Sequence, residues 1–451
     1  MERDRYMIGF DTICAECTAP YKSALSIVRL SGKDAKEIVS HIVKKDVNSF
    51  VPSKAYHLSL YENIADNSLI DSAVVIFFEA EHSFCGEDTF EFYTHGSRII
   101  VNQLLEALIK YGARRAEGGE FSYKAYFNGK MELVESEAIN DVINARTKRS
   151  KDFALKTLNG ENSKVLNELK EKLNLLTAEI EVNIDYPEFD EEEDLENKTR
   201  RLLPAIIKIA KDLMVGSHQS VYLFNGVKIA IVGEPNVGKS TLLNKILGYD
   251  KAIVTSVPGT TRDVVEGEKE IDGIIYKFLD TAGIREQADE IEKIGISKSI
   301  KTTKEADIIL VLSDKGNFDS VDLLGIEEEI RTKPVIYVGS KRDVATFNSK
   351  ADILISKDDS SLDQLFTLIK SKLDLVDEDK IGFTSKRDVD NLTDFVNILD
   401  SIEEDLNNYI TIDVIEIKLV EASKILDELI GRDSTMEDIY DTIFKNFCIG
   451  K

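Results

Sequence analysis

Lys228-Ile-Ala-Ile-Val232-Gly233-Glu-Pro-Asn-Val-Gly238-Lys239-Ser240 is the stretch whose reading fixes the fold class. Its residues Ile229 to Val232, after Lys228, form an apolar run of buried-strand type. Thr241 to Leu247 then shows helical spacing of apolar residues. Between them, Gly233 to Ser240 fits G-x-x-x-x-G-K-[ST] in the strand–loop–helix setting that gives this pattern its meaning. The glycines let backbone N–H groups turn inward around a phosphate, and the start of the following helix adds a favourable dipole. Asn236, Val237, Gly238, Lys239, Ser240 and Thr241 are therefore candidate nucleotide contacts. Lys239 is expected to reach the β- and γ-phosphates, and the Ser240 hydroxyl to ligate Mg²⁺.

Three elements follow in order. Thr260-Thr261-Arg262-Asp263 offers a threonine to close on Mg²⁺ and the γ-phosphate. Asp280-Thr281-Ala282-Gly283 follows the apolar strand Ile274–Leu279, placing a carboxylate near the metal and a glycine N–H near the γ-phosphate. Ser340-Lys341-Arg342-Asp343 follows the strand Val335–Val338, at the base-reading position. There Asp343 accepts from the two N–H donors on guanine's edge, which adenine lacks. Together they predict a GTP-hydrolysing P-loop domain. Ser340 stands where the base-reading motif usually has Asn, which removes one amide contact, about 1 kcal/mol net. Ile284 occupies the position after Gly283 where Ras-like proteins keep a water-orienting Gln. Its side chain cannot orient water, so Glu290 or Glu292 must, and no arginine finger is evident among the nearby residues, Arg262 and Arg285 included.

Outward from this unit, residues 224–375 alternate strands and helices as a parallel doubly wound sheet does. Residues 1–122 read as an α+β domain, with strands at Leu25–Leu30, Ala55–Tyr61, Ala73–Phe78 and Phe90–Thr94 and helices at Lys33–Val43 and Arg98–Tyr111. Residues 123–220 are helical, with Val165, Leu166, Leu169, Leu173, Leu176 and Ile180 on one face. Asp185 to Glu196 carries eight acids and no base and reads as a solvated loop. Helical pattern resumes over 379–451, so the α/β unit, 221–378, is expected to be an insertion into a discontinuous helical domain. The chain has 451 residues with a formal net charge of −25, which argues against a protein that coats nucleic acid through a broad basic surface. No stretch approaches a membrane span, and the first residues lack the layout of a secretory signal. Four cysteines, with Cys14 and Cys17 as a lone C-x-x-C, read as buried thiols rather than a metal site. A reduced cytoplasmic protein is expected.

Several separate blocks resemble the tRNA modification GTPase family MnmE (TrmE) over nearly the whole chain. They are Asp11-Thr-Ile13 with Ile27 to Gly32, Phe84 to Asp88 with Glu91 and His95-Gly96, and Gly119-Glu-Phe121 through Asn128-Gly-Lys130 with Glu137-Ala-Ile139. Gly259 to Asp263, Asp280 to Gly283 and the ending Phe447-Cys448-Ile-Gly-Lys451 complete the set. The resemblance implies a multi-domain α/β protein with an α+β N-terminal folate-binding and dimerisation domain, a discontinuous helical domain and an inserted Ras-like P-loop GTPase domain. It implies that Arg29, Glu91, Lys130 and Lys451 contact a tetrahydrofolate derivative, 5,10-methylene- or 5-formyl-tetrahydrofolate. It implies that Asn236, Thr255, Thr260 and the Val257 carbonyl hold K⁺ in place of an arginine finger. Ser240 and Thr261 would hold Mg²⁺, and Ser256, Pro258 and Gly259 would complete the loop around the nucleotide. Between the two open acids it selects Glu292 to position the attacking water, with Lys239 as its catalytic companion. A homodimer with G domains that pair, and a heterotetramer with an FAD-dependent partner acting on the wobble uridine of tRNA, are also implied.

Some residues carry a plainer reading. Arg29 alone would pass for a surface ion-pair residue and Lys130 for a helix cap. Cys448, following Phe444 and Phe447, reads equally as a buried thiol or as a catalytic group implied by the resemblance. Arg146, Lys148, Arg149, Lys151 and Lys156 read as a solvated helix face, or as contacts to tRNA phosphates. Pro20 to Ala24 lacks the glycines that the family carries there. A switch-type GTPase of ribosome assembly is the competing function; the N-terminal blocks, the Cys-Ile-Gly-Lys ending and the acidic charge stand against it.

Overall fold

The structure is a computed structural model. It describes residues 11–185, 195–234, 237–248, 265–279, 302–314, 318, 326–340, 351–355, 360–375, 380–408, 410–431, 444, 447 and 450. The chain divides into two compact units: residues 1–140, 158–170 and 420–451 in one, and 141–157 with 171–419 in the other. No helix among the described residues is long and apolar enough to cross a membrane.

The first unit is built on a six-stranded sheet. Its strands are β1 (Ile13–Glu16), β2 (Leu25–Ser31), β3 (Ala55–Tyr61), β4 (Leu69–Phe78), β5 (Thr89–His95) and β6 (Arg114–Arg115), ordered β3-β4-β5-β2-β1-β6. All pairs are antiparallel except β1 with β6. Successive side chains of a strand point to opposite faces, and β2 and β5 use this cleanly. Val28, Leu30, Phe90 and Phe92 enter the core under helix α2 (Arg98–Lys110), whose Leu104 and Leu108 are also buried. Arg29, Glu91 and Tyr93 consequently sit on the other face.

Two expected elements differ by more than two residues at an end, for physical reasons. Helix α1 covers only Ala35–Ser40, although Ile42 and Val43 beyond it are buried; the apolar spacing reported burial rather than helix. Strand β4 begins at Leu69, four residues earlier than expected, because it contains a buried Asp71 that breaks the apolar run. The Asp71 carboxylate is satisfied by the His95 N–H at 2.9 Å and the His95 ring at 2.8 Å.

The helical segments are α3 (Glu120–Phe127), α4 (Leu133–Asn144), α5 (Lys148–Leu158), α6 (Glu161–Asp185) and α7 (Leu195–Asn225). The expected apolar face of α6 is buried at Leu166, Leu169, Leu173, Leu176 and Ile180, with Val165 at its margin. Most of the acidic stretch between α6 and α7 lies outside the described residues.

The second unit holds a sheet ordered β12-β11-β10-β7-β9-β8. Its strands are β7 (Val227–Gly233), β8 (Val265–Ile271), β9 (Ile274–Leu279), β10 (Ile308–Ser313), β11 (Val335–Gly339) and β12 (Ile353–Leu354). Every neighbour is parallel except β8 with β9. Ile229 and Ile231 face one apolar layer and Ala230 and Val232 the other, which explains the unbroken apolar run of a strand covered on both sides. β7 is flanked by β9 and β10, and in open sheets of this kind ligands bind outside the carboxyl ends of the strands where the strand order reverses.

Helix α7 packs along helix Lys386–Asn407. The chain leaving the sheet crosses α7 backbone to backbone at Gly216 and Gly382. A Cβ on Gly216 would lie 1.9 Å from the Ile381 carbonyl oxygen, and one on Gly382 would lie 2.2 Å from the Ser217 nitrogen. Ser217 Oγ accepts from the Phe383 N–H at 2.8 Å and donates to the Leu213 carbonyl at 2.8 Å; Ser220 Oγ donates to the Phe383 carbonyl.

Beside this crossing, Thr384 Oγ1 donates to Asp141 Oδ2 at 2.6 Å. Burial pushes the Asp141 carboxyl from its ordinary 3.8 up to about 6; the Thr384 hydrogen bond opposes this and the charge of Asp388 adds to it. The folded-state pKa is thus above the unfolded one. Below about pH 4 both states are protonated, so there is no penalty; between pH 4 and 6 the unfolded chain ionises first and stability falls. Above pH 6 the loss is complete, about 3 kcal/mol for roughly two pKa units. Asp141→Asn should therefore raise the thermal midpoint at pH 7.5 and leave it unchanged at pH 4. An equal shift at both pH values would refute the assignment.

Candidate functional site

Two sets of candidate residues lie in the two units. In the first, β2–β5 pairing sets Arg29 directly opposite Glu91. Arg29 Nε and Nη2 both donate to Glu91 Oε1, at 3.0 and 2.8 Å, and the Tyr93 hydroxyl donates to Glu91 Oε2 at 2.8 Å. The guanidinium carbon lies 5.2 Å from the Phe84 ring centroid and 5.4 Å from that of Phe121. Burial alone would lower the Arg29 pKa, but Cys17, Glu91 and Cys85 outweigh it and the net direction is upward. Arg29 Nη1 is buried with no hydrogen-bond partner among the described residues. An unpaired buried donor costs about 1–3 kcal/mol, so this one is suited to an acceptor that is not part of the described chain.

Lys130 reaches the same neighbourhood through the turn at 84–86. Asn128 Nδ2 donates to the Cys85 carbonyl at 2.6 Å, and a Cβ on Gly86 would touch Asn128 and Lys130. The Lys130 ammonium donates to the Glu81 carbonyl and its side chain borders a cavity with Tyr126, Glu132 and Gly431. The end of the chain comes to the same place. A Cβ on Gly450 would lie 2.6 Å from the Glu16 carbonyl oxygen and 2.7 Å from the Cys17 Cα. Ala15, just before Glu16, pairs with Arg29. Phe444 is buried against Tyr123, 5.6 Å between ring centroids, and further holds the tail. Cys448 and Lys451 themselves lie outside the described residues. Burial pushes the thiols of Cys14 and Cys85 up to about 12 and about 11, so neither is a thiolate at neutral pH.

Sequence reasoning named Phe84 and Phe121 only within the matching blocks, with no role at the site, and passed over Tyr93. Tyr93 was detectable: two residues beyond Glu91 on a strand, it shares that face.

In the second unit, β7 delivers the phosphate loop to the carboxyl end of the sheet. Helix α8 (Lys239–Leu247) starts one residue after Gly238, whose φ of 106° is a conformation that L side chains rarely adopt. Lys239 Nζ folds back across the loop and donates to the Gly233 carbonyl at 2.8 Å and the Glu234 carbonyl at 2.9 Å. Two of its three donors are thus engaged, which holds the ammonium over the loop and leaves the third for an anionic oxygen. Partial burial lowers the Lys239 pKa. Val237 is buried, while Ser240 and Thr241 are exposed at the start of α8. Ser340 sits at the end of β11 beside this loop. Asn236, Thr255, Ser256, Val257, Pro258, Gly259, Thr260, Thr261, Asp280, Thr281, Ala282, Gly283, Glu290, Glu292, Lys341 and Asp343 lie outside the described residues.

Of the basic cluster, Arg146 pairs with Glu268 at 2.5 Å and Lys151 with Asp152 at 2.9 Å. Among the described residues no group of three or more His, Cys, Asp or Glu side chains is arranged to hold a metal ion.

Two family models match the chain: "GTP-binding protein TrmE N-terminus" over residues 12–130 and "MnmE helical domain" over residues 133–448. The chain belongs to the MnmE (TrmE) family. Curated relatives agree over their full length. The tRNA modification GTPase MnmE of Thermotoga maritima is 35% identical over 459 residues, 98% of this chain and 100% of that protein. The one from Mycoplasma mobile is 36% identical over 450 residues, and the one from Mycoplasmopsis synoviae is 38% identical over 474. The multi-domain α/β fold read from the sequence stands with this family membership.

Proposed function

We propose that this protein hydrolyses GTP as part of a tRNA-modifying activity that also uses a tetrahydrofolate derivative. One observation carries the reading: a single chain joins a strand–loop–helix phosphate site, with Lys239 drawn over its loop, to a family-typical N-terminal unit with a buried, half-satisfied arginine. The ribosome-assembly alternative does not account for that N-terminal unit, which the TrmE N-terminus model matches over residues 12–130. The decisive experiment is nucleoside analysis of bulk tRNA from cells lacking the protein. Loss of a modified wobble uridine, restored by the intact chain, supports the reading; unchanged nucleosides refute it.

The residues of the first site fit a folate. Glu91 accepts, as a carboxylate must to meet the donor edge of a pterin, and the free Nη1 of Arg29 donates to a formyl or carboxylate oxygen. Phe84 and Phe121 give the site apolar walls. Lys130 borders this neighbourhood, and Lys451 and Cys448 are proposed, on the family resemblance, as a further cation and a reactive or structural thiol. When bound, the folate supplies the one-carbon unit; the chain binds and orients it. Arg29→Ala should weaken binding of 5-formyl-tetrahydrofolate about 10- to 100-fold, the loss of a charge-assisted hydrogen bond, while GDP affinity is unchanged. Calorimetry showing equal folate affinity would remove Arg29 from the site.

At the second site Ser240 and Thr261 are proposed to hold Mg²⁺. Asn236, Thr255, Thr260 and the Val257 carbonyl are proposed to hold K⁺, whose charge would serve in place of an arginine finger. Pairing of G domains, a homodimer, an FAD-dependent partner and a cytoplasmic location belong to the same proposal. So does the division at residues 122, 220 and 378.

A further inference from the structure

The base-reading motif has lost its usual Asn, and the replacement at 340 does something specific. The Ser340 hydroxyl donates to the Val237 carbonyl at 2.5 Å, and the Ser340 N–H donates to the Ser313 carbonyl at 2.9 Å. The hydroxyl's other candidate acceptor, the Ser313 carbonyl, is 3.5 Å away. Ser313 and Ser340 close the adjacent parallel strands β10 and β11, and β7, which leads into the phosphate loop, lies on the other side of β10. The side chain of residue 340 thus spans from a rigid strand end to the middle of that loop.

A hydroxyl has one proton. Given to Val237, it cannot also be given to guanine. A trans peptide is planar, with its C=O and N–H pointing in opposite directions. Holding the Val237 carbonyl toward Ser340 therefore turns the next N–H, that of Gly238, away from it. Gly238 leads into α8 in a left-handed conformation at φ 106°, and its carbonyl accepts from the Leu242 N–H at 2.9 Å.

We infer that Ser340 is a positioning residue for the phosphate loop rather than a base contact: its hydroxyl fixes the 237–238 peptide so that the Gly238 N–H is presented to the nucleotide's phosphates. This rests on the GTP-binding reading above. It predicts a loss of affinity that ignores the base, contrary to the expectation that residue 340 matters through guanine.

The test is calorimetric titration of the full chain with GDP and with 7-deaza-GDP, which lacks the N7 acceptor. Ser340→Ala should weaken both nucleotides by the same factor, about five- to tenfold for one lost hydrogen bond. Ser340→Thr, which keeps the hydroxyl, should bind both within about twofold of the original chain. An alanine variant with unchanged GDP affinity would overturn the inference, as would a threonine variant as weak as alanine. A loss confined to GDP would show that the hydroxyl reads the base instead. If the original chain binds no GDP, the nucleotide reading itself falls and this inference with it; normal GDP binding by the original chain separates the two failures.

Discussion

Glu292→Ala is expected to lower kcat for GTP by roughly 10²- to 10⁴-fold while leaving nucleotide affinity almost unchanged. Ile284 follows Gly283, and an aliphatic side chain offers no acceptor to orient an attacking water. Catalysis then depends on a carboxylate brought in from the following segment, and Glu292 lies nine residues beyond Gly283. A group that positions water acts in the transition state, so its loss appears in kcat rather than in binding. Glu290→Ala is the internal control and should change turnover less than threefold if the family resemblance has chosen correctly between the two acids. Single-turnover hydrolysis with matched GDP titrations decides it. A Glu292 variant with normal turnover would refute the assignment and point to Glu290 or to a partner-supplied group.

Gly216→Ala should lower the thermal midpoint by roughly 5–10 °C, a loss of about 3 kcal/mol or more. The sign is the informative part. In a solvent-facing helix the same change would stabilise by about 1 kcal/mol, since alanine is the better helix former. At this position the added methyl meets the Ile381 carbonyl oxygen at 1.9 Å, and that obstacle is backbone, which cannot rotate aside. His218→Ala, at an exposed position of the same helix, should change stability by less than about 0.5 kcal/mol. An alanine at 216 that raises the midpoint would mean that α7 and the returning chain do not cross this closely.

What the sequence disclosed depended on whether a residue's job leaves a periodic trace. Strands β3 and β9 were legible end to end, β3 by the alternation of Tyr56, Leu58 and Leu60 with polar residues and β9 by its largely apolar run. The phosphate loop was legible because its glycines and lysine occur at fixed offsets. The four-residue β1 left no trace: Ile13-Cys-Ala-Glu16 is too short for alternation, yet it sits between β2 and β6. Asp71 hid the start of β4 because a buried carboxylate looks like a loop residue until His95 is seen to satisfy it. Arg29 and Glu91 were picked out only by resemblance to a family, since cross-strand registry is not written in either segment alone. The contact of Ser340 with Val237 went unforeseen for a related reason. A substitution within a motif shows which contact is lost, and only the fold shows that Val237 is within reach.

The crossing of α7 by Ile381–Phe383 also determines how tension would travel through the chain. Ser217 and Phe383 are 166 residues apart in sequence but joined by a 2.8 Å hydrogen bond. The nucleotide-binding sheet therefore hangs as a closed loop whose two ends are fastened to each other. A pull applied to α7 and to the helix Lys386–Asn407 would be borne first by that fastening, and the sheet would feel no load until it gave way. On release, the loop would add about 550–600 Å of extended chain at 3.3–3.6 Å per residue. A nucleotide-dependent movement inside the loop can likewise proceed without dragging the flanking helices apart, because the fastening keeps the loop's base at constant length.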